Sequence, residues 1–214
     1  LTVEFEKGAA MARARGRYQQ LQWEQREEVI LEALQTLSAE RGFSAVTMDA
    51  LAEAVGISKA TLYQHFDSKD ALLAALLTQQ IDRFSAWLES AAARPPIEQL
   101  REAMRALMGG HFTPLRGLVS VGREEAMPVF YNTPALVERH EQILAALAAI
   151  IRQGQADGSI APDLDPFVVI SAMLALSSVT LGESAGPGYR AALAAHPDYT
   201  DQMLALFERA LRPA

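Results

Sequence analysis

The sequence predicts an all-α protein, and three observations carry that expectation. Apolar residues recur at intervals of three and four and almost never alternate, so strand signals are nearly absent. Ser, Thr, Asp and Gly stand where amphipathic segments begin and end, as helix caps do. Two very short amphipathic segments flank Gly56, each preceded by a hydroxyl residue, which reads as a pair of short helices with a tight corner.

The elements follow in chain order. Leu21 to Arg41 reads as the first helix, with Ile30, Leu34 and Leu37 inward and Gly42 as a left-handed cap. Residues 1–20 read as a flexible N-terminal arm. They carry charge throughout and no apolar block, so they do not resemble a secretory leader. Thr47 caps a second helix whose inner stripe is Met48, Leu51, Ala52 and Val55, and Ser58 caps a third. Asp67 or Ser68 opens a fourth, longer helix reaching about Ala92, with Leu72, Leu76, Ile81, Phe84 and Leu88 inward.

The run Arg94-Pro95-Pro96 breaks the chain, and Ile97 to Met108 is helical again until Gly109 and Gly110. Pro114, Gly117, Gly122 and Pro128 leave room for one or two short helices up to Tyr131. Thr133 caps, and Pro134 opens, a long helix from Ala135 to about Ala156. After a loop, Asp165 and Pro166 start an uncharged helix to Leu181, and a last helix spans about Tyr199 to Leu211.

Composition removes several classes. Of the 214 residues half are apolar, enough for a substantial core, and the net charge is -7, which argues against general affinity for nucleic acid. There is no cysteine, so thiolate chemistry and disulfides are out, and a reducing, cytoplasmic setting is expected. His140 to Leu144 resembles half a zinc motif, but position 144 is Leu where the second histidine belongs. No phosphate-binding or dinucleotide loop and no nucleophile elbow appears, so neither enzyme activity nor a cofactor is expected. The uncharged run Pro166 to Gly182 is shorter than a membrane span and holds Ser171, Ser177, Ser178 and Thr180, so no membrane role is expected.

The third helix is where chemistry concentrates. On a wheel of Lys59 to Phe66, Leu62 and Phe66 share the inner face. Ala60 and Gln64 lie opposite, flanked by Lys59 with Tyr63 on one side and Thr61 with His65 on the other. A small residue lets the backbone approach base edges, an amide can pair two-pronged with adenine, and the flanking donors suit phosphates. Thr47 and Lys69, at the starts of their helices, add phosphate donors, and Ser58 stands at the same rim. The competing reading is a solvated surface helix. Leu1 to Asp70 holds eight Lys or Arg against eleven Asp or Glu, so local charge does not decide between them.

The stretch from Thr47 to Leu73, with its Ala52–Gly56 corner, Thr61-Leu62-Tyr63-Gln64-His65-Phe66 and Lys69, resembles the DNA-binding signature of TetR-family transcriptional repressors. The likeness extends over roughly Val29 to Ala75. It implies that Thr47, Tyr63, His65 and Lys69 meet phosphates and that Lys59, Ala60, Thr61 and Gln64 meet bases. It makes Arg13, Arg15 and Arg17 candidates for a neighbouring minor groove. It also implies three parts: the arm (1–20), a helix-turn-helix DNA-binding domain (21–68) and a larger helical domain (69–214) that binds an effector and dimerises.

For the dimer, the sequence offers Met173, Leu176 and Val179 with Met203, Leu206 and Phe207 as stripes for a four-helix interface. For the effector pocket it offers Phe84, Trp87, Met104, Met108, Phe112, Phe130 and Tyr131, with His111, Arg116, Arg123 and Glu124 as polar contributors. Soft methionines and aromatic walls suit an apolar or aromatic effector. The expected function is a homodimeric repressor that leaves its double-stranded DNA operator when an unknown small molecule binds. The rivals are a regulator without an effector, and a helical small-molecule-binding protein or enzyme that has lost DNA binding.

Overall fold

The structure, a computed structural model, describes residues 2–108, 123–180 and 195–213, with side chains described over 20–108, 126–176 and 195–213. Its described elements are helices joined by turns, with no strand among them. They are α1 (Thr2–Arg41), a 3-10 turn (Phe43–Ala45), α2 (Met48–Val55), α3 (Lys59–His65), α4 (Lys69–Ala91), α5 (Pro96–Met108), α6 (Arg123–Tyr131), α7 (Pro134–Asp157), α8 (Pro166–Thr180) and α9 (Tyr199–Leu211). Among the described residues no helix is long and apolar enough to cross a membrane.

Helix α1 begins at Thr2 rather than at Leu21, so the segment read as a flexible arm continues the helix. Its composition explains this. Thr2 to Gln20 is rich in Ala, Arg, Glu and Gln, all good helix formers, and contains no proline, which outweighs Gly8 and Gly16. Arg13, Arg15 and Arg17 therefore lie on α1, and their side chains are outside the described residues.

The N-terminal unit is nucleated by capping and by a buried stripe. Thr47, Ser58 and Ser68 each accept a hydrogen bond from the amide three residues on, at 3.1, 3.0 and 3.0 Å. Each such cap is worth about 1 kcal/mol. Gly56 closes α2 in the left-handed conformation (φ 74°, ψ 31°), and the Ile57 amide donates back to the Ala52 carbonyl at 3.0 Å. Gly42 differs from expectation: its φ is 80° but its ψ is 145°, an extended mirror conformation open only to glycine rather than a left-handed cap. Thr133 also departs, because its hydroxyl donates to the Val129 carbonyl at 2.7 Å instead of capping α7.

Helix α4 is the link between the two halves. It packs on α1 at one end and on α5, α6 and α7 at the other. Leu72, Leu73, Leu76 and Leu77 are fully buried, and Ile81, Phe84 and Leu88 continue the stripe. Helix α5 is the centre of the larger half, contacting α7, α8 and α9. Its Leu100, Ala103 and Met104 have no exposed surface. One contiguous apolar cluster runs from Ile30 on α1 to Leu211 on α9.

The C-terminal pair turns out differently from the expected dimer stripes. Met173 (0 % exposed) and Phe207 (5 %) face the chain's own core, and Leu176 and Met203 pack against it. Phe167, Val168, Leu174 and Leu206 are exposed. The side chain of Val179 lies outside the described residues. An all-apolar helix carries no wheel signal to say which stripe its own core takes; here α8 packs on α5 and α7, and Met173 is buried.

Candidate functional site

Helix α3 is held from below by Leu62 (0 % exposed) and Phe66 (7 %), the one buried on the α3 inner face and the other at its C-cap. Burying each contributes about 1.5–3 kcal/mol relative to exposure. With that face fixed, Lys59, Ala60, Tyr63 and Gln64 are exposed together on the outer face. Thr47 and Ser58 are exposed beside them at the starts of α2 and α3, with their oxygens engaged as caps. Thr61 is half-buried and its hydroxyl lies 2.8 Å from that of Ser58.

Lys59 has a partner that the wheel did not reveal. Its ammonium lies 2.7 Å from a carboxylate oxygen of Asp49 on the first turn of α2. The hydrogen bond from Lys59 to Asp49, reinforced by the acid's charge, raises the lysine's pKa above its ordinary value. Both side chains are solvent-exposed. Lys69 is also engaged: its ammonium donates to the carbonyls of Phe43 (2.6 Å) and Ser44 (3.1 Å) and lies 4.3 Å above the Phe43 ring. It braces the turn that leads into α2, so the expected phosphate contact would compete with these bonds.

His65 corrects the sequence reading outright. Its side chain is 0 % exposed. Trp23 of α1 lies over it with ring centroids 3.7 Å apart, and Nδ1 donates to Glu27 Oε1 at 3.3 Å. The same Glu27 oxygen accepts from Trp23 Nε1 at 2.8 Å. His65 therefore fastens the end of α3 to α1, and its imidazole is not presented at the surface. A wheel of α3 alone shows which residues point away from α2, but not that α1 covers one of them.

The larger half contains a cavity of about 170 Å³. Gln80, Ile81 and Phe84 of α4 form one side, His140, Ile143, Leu144 and Leu147 of α7 the other, and Leu107, Phe130 and Leu174 complete it. Of the expected pocket residues, Phe84 and Phe130 line it. Trp87 stacks on Phe84 at 5.6 Å, outside the lining. Met104 and Met108 are core residues, and Tyr131 is 69 % exposed with its ring edge-on to Phe130. His111, Phe112 and Arg116 lie outside the described residues, as do the side chains of Arg123 and Glu124. The polar members that sequence reasoning missed are Gln80 and His140. Gln80 was legible as a lone amide at an inward register between Leu76, Leu77 and Phe84. Burial lowers the His140 pKa from its usual 6.5, against a smaller opposing pull from Glu141.

Comparison with known proteins agrees with this geometry. The family model for bacterial regulatory proteins of the tetR family matches residues 30–76, from the buried stripe of α1 into α4. The transcriptional regulator UidR of Escherichia coli is 30% identical over 160 residues, covering 72% of this chain and 79% of that protein. The chain belongs to the TetR family of bacterial regulatory proteins. It is thus a helix-turn-helix, DNA-binding transcription regulator, and α2 and α3 are the helix-turn-helix. The transcriptional repressor KstR2 of Mycolicibacterium smegmatis is 28% identical over 155 residues, covering 65% of this TetR-family chain and 70% of that one. A structure of AibR in complex with isovaleryl coenzyme A and operator DNA superposes with a TM-score of 0.60. Its identity is 22% over 85% of this chain and 97% of that one, a likeness of fold.

Proposed function

We propose that this TetR-family regulator binds operator DNA as a homodimer through α3 and releases it when a small apolar molecule enters the cavity beside α4. The observation that carries the reading is the α3 ridge. Ala60 and Gln64 are exposed between Lys59 and Tyr63, on a helix anchored by Leu62 and Phe66. In this reading Ala60 and Gln64 meet base edges in the major groove, while Tyr63 and the rim of Thr47 and Ser58 meet phosphates. Lys59 exchanges Asp49 for DNA. Lys69 and His65 act from behind, holding the turn and α1 against the two reading helices. Repression is favoured over activation by the likeness to the transcriptional repressor KstR2.

Release follows from the position of the cavity. Gln80, Ile81 and Phe84 belong to the helix whose first turn begins at Lys69, directly after α3. A ligand that favours a shifted α4 changes the distance between the two α3 helices of a dimer, and with it the match to half-site spacing.

The test is selection of operator DNA from random or genomic fragments, followed by affinity measurement on two variants. Gln64→Ala is expected to lose about 1–3 kcal/mol on the preferred site and to relax base choice. Tyr63→Phe is expected to weaken all sequences alike. Identical behaviour of the two variants would remove the assignment of Gln64 to the bases.

A further inference from the structure

We infer that the cavity beside α4 is built for an uncharged, single-ring aromatic ligand with one hydrogen-bonding substituent, such as a phenol, directed at Gln80 and His140. This deepens the effector reading above and rests on it. Size is the first argument. The cavity measures about 170 Å³, and a dry protein cavity of about 150 Å³ is filled by one benzene ring. One ring with a small substituent fits, whereas a fused polycyclic or nucleotide-bearing ligand would not be enclosed.

The walls give the class. Phe84 and Phe130 present aromatic surface, and the His140 ring stands edge-on to Phe130 with centroids 5.4 Å apart at 89°. Such walls favour a flat, polarisable guest over a branched aliphatic one. The polar groups give the substituent. Among the described residues, Gln80, 1 % exposed, and His140 are the polar ones in the lining, and no Lys, Arg, Asp or Glu joins them. An anion or cation entering would lose its hydration with no opposite charge among the described lining residues to meet it. With His140 kept neutral by its burial, its ring offers one donor and one acceptor, so a hydroxyl can be met in either sense.

The experiment titrates the full-length, DNA-free chain calorimetrically at pH 7.5 with phenol, toluene and benzoate, which share a ring and differ in the substituent. Phenol is expected to bind about two- to tenfold tighter than toluene, the range of one net hydrogen bond, and benzoate not to bind measurably. His140→Leu should bring phenol down to the level of toluene and leave toluene unchanged, while His140→Gln retains the preference. Leu144→Trp, which fills the cavity, should abolish both and locate the site if His140→Leu does not fold.

Benzoate binding as tightly as phenol, no binding of any probe, or probe binding that survives Leu144→Trp would each overturn the inference. Operator release, followed separately by gel shift, keeps the two readings apart. Phenol that binds without releasing DNA leaves the ligand class standing and removes the effector role. Benzoate that binds and releases DNA does the reverse.

Discussion

Lys59 and Asp49 show how a repulsive charge can sit inside the proposed DNA-reading surface. Asp49 lies on the first turn of α2, where a carboxylate favours the helix dipole, and it also holds the lysine that α3 presents. The pair is exposed and contributes little to folding. Its cost falls on DNA binding, because the acid must be brought up to phosphates. Asp49→Asn should therefore leave thermal stability nearly unchanged and raise affinity for DNA of any sequence, with a salt dependence steeper by about one counterion. Equilibrium binding at several salt concentrations checks this, and an unchanged slope would refute it. Trp23→Ala should act from the opposite side. It uncovers His65 and frees Glu27, lowering stability by about 1–2 kcal/mol and weakening operator binding although Trp23 touches no base. Near-native stability and binding in that variant would show that α3 does not depend on α1 for its orientation. The inward pair Leu62 and Phe66 and the outward pair Ala60 and Gln64 were legible from spacing alone, since one helix's own geometry decides them. The burial of His65 and the capture of Lys59 and Lys69 were not, because each depends on a partner 10 to 38 residues away.

Among the elements, boundaries set by local chemistry were the readable ones. The caps at Thr47 and Ser58 and the whole of α9 stand where the sequence puts them, and Ser68 rather than Asp67 caps α4. The length of α1 was missed because residues 1–20 carry no apolar stripe to mark a helix, where helix propensity decides. Helix α4 carries adjacent residues with opposite duties: Arg83 pairs with Glu28 of α1 at 3.2 Å, and Asp82 pairs with Arg139 of α7. His140 is the next residue on α7, so the cavity wall and this tie share one turn. Acidification should act through that turn. The His140 pKa is lowered in the folded chain, so its contribution to stability is fully present above the unfolded value near 6.5. It declines as pH falls from there toward the folded pKa. Between pH 7.5 and 5 the melting temperature of His140→Gln should fall less than that of the wild type, at matched ionic strength. Parallel curves would mean that the imidazole is solvated rather than held in the cavity wall.

On the scale of the whole molecule, the single chain leaves apolar surface that it does not cover itself. Phe167 is 76 % exposed, Val168 58 %, Leu174 43 % and Leu206 55 %, all on the last two described helices. The sequence told that these helices hold more apolar residues than one side needs. It could not tell which residues the chain keeps, since Met173 and Leu174 are equally apolar neighbours and only packing against α5 and α7 separates them. The proposed homodimer places Phe167, Val168 and Leu206 between two copies, where a stable interface of standard size buries about 800 Å² per partner. Charging the surface should then separate the copies while sparing the fold, because neither Phe167 nor Leu206 belongs to the core cluster. Phe167→Glu combined with Leu206→Glu is expected to sediment as a monomer at micromolar concentration, with the melting curve of a folded chain. Operator affinity should drop by at least about a hundredfold, since two half-sites held by one dimer gain from effective concentration and two free monomers do not. A variant that remains dimeric would move the interface elsewhere. A monomer that keeps full operator affinity would mean that one α3 helix suffices, and spacing between half-sites could no longer be the quantity an effector changes.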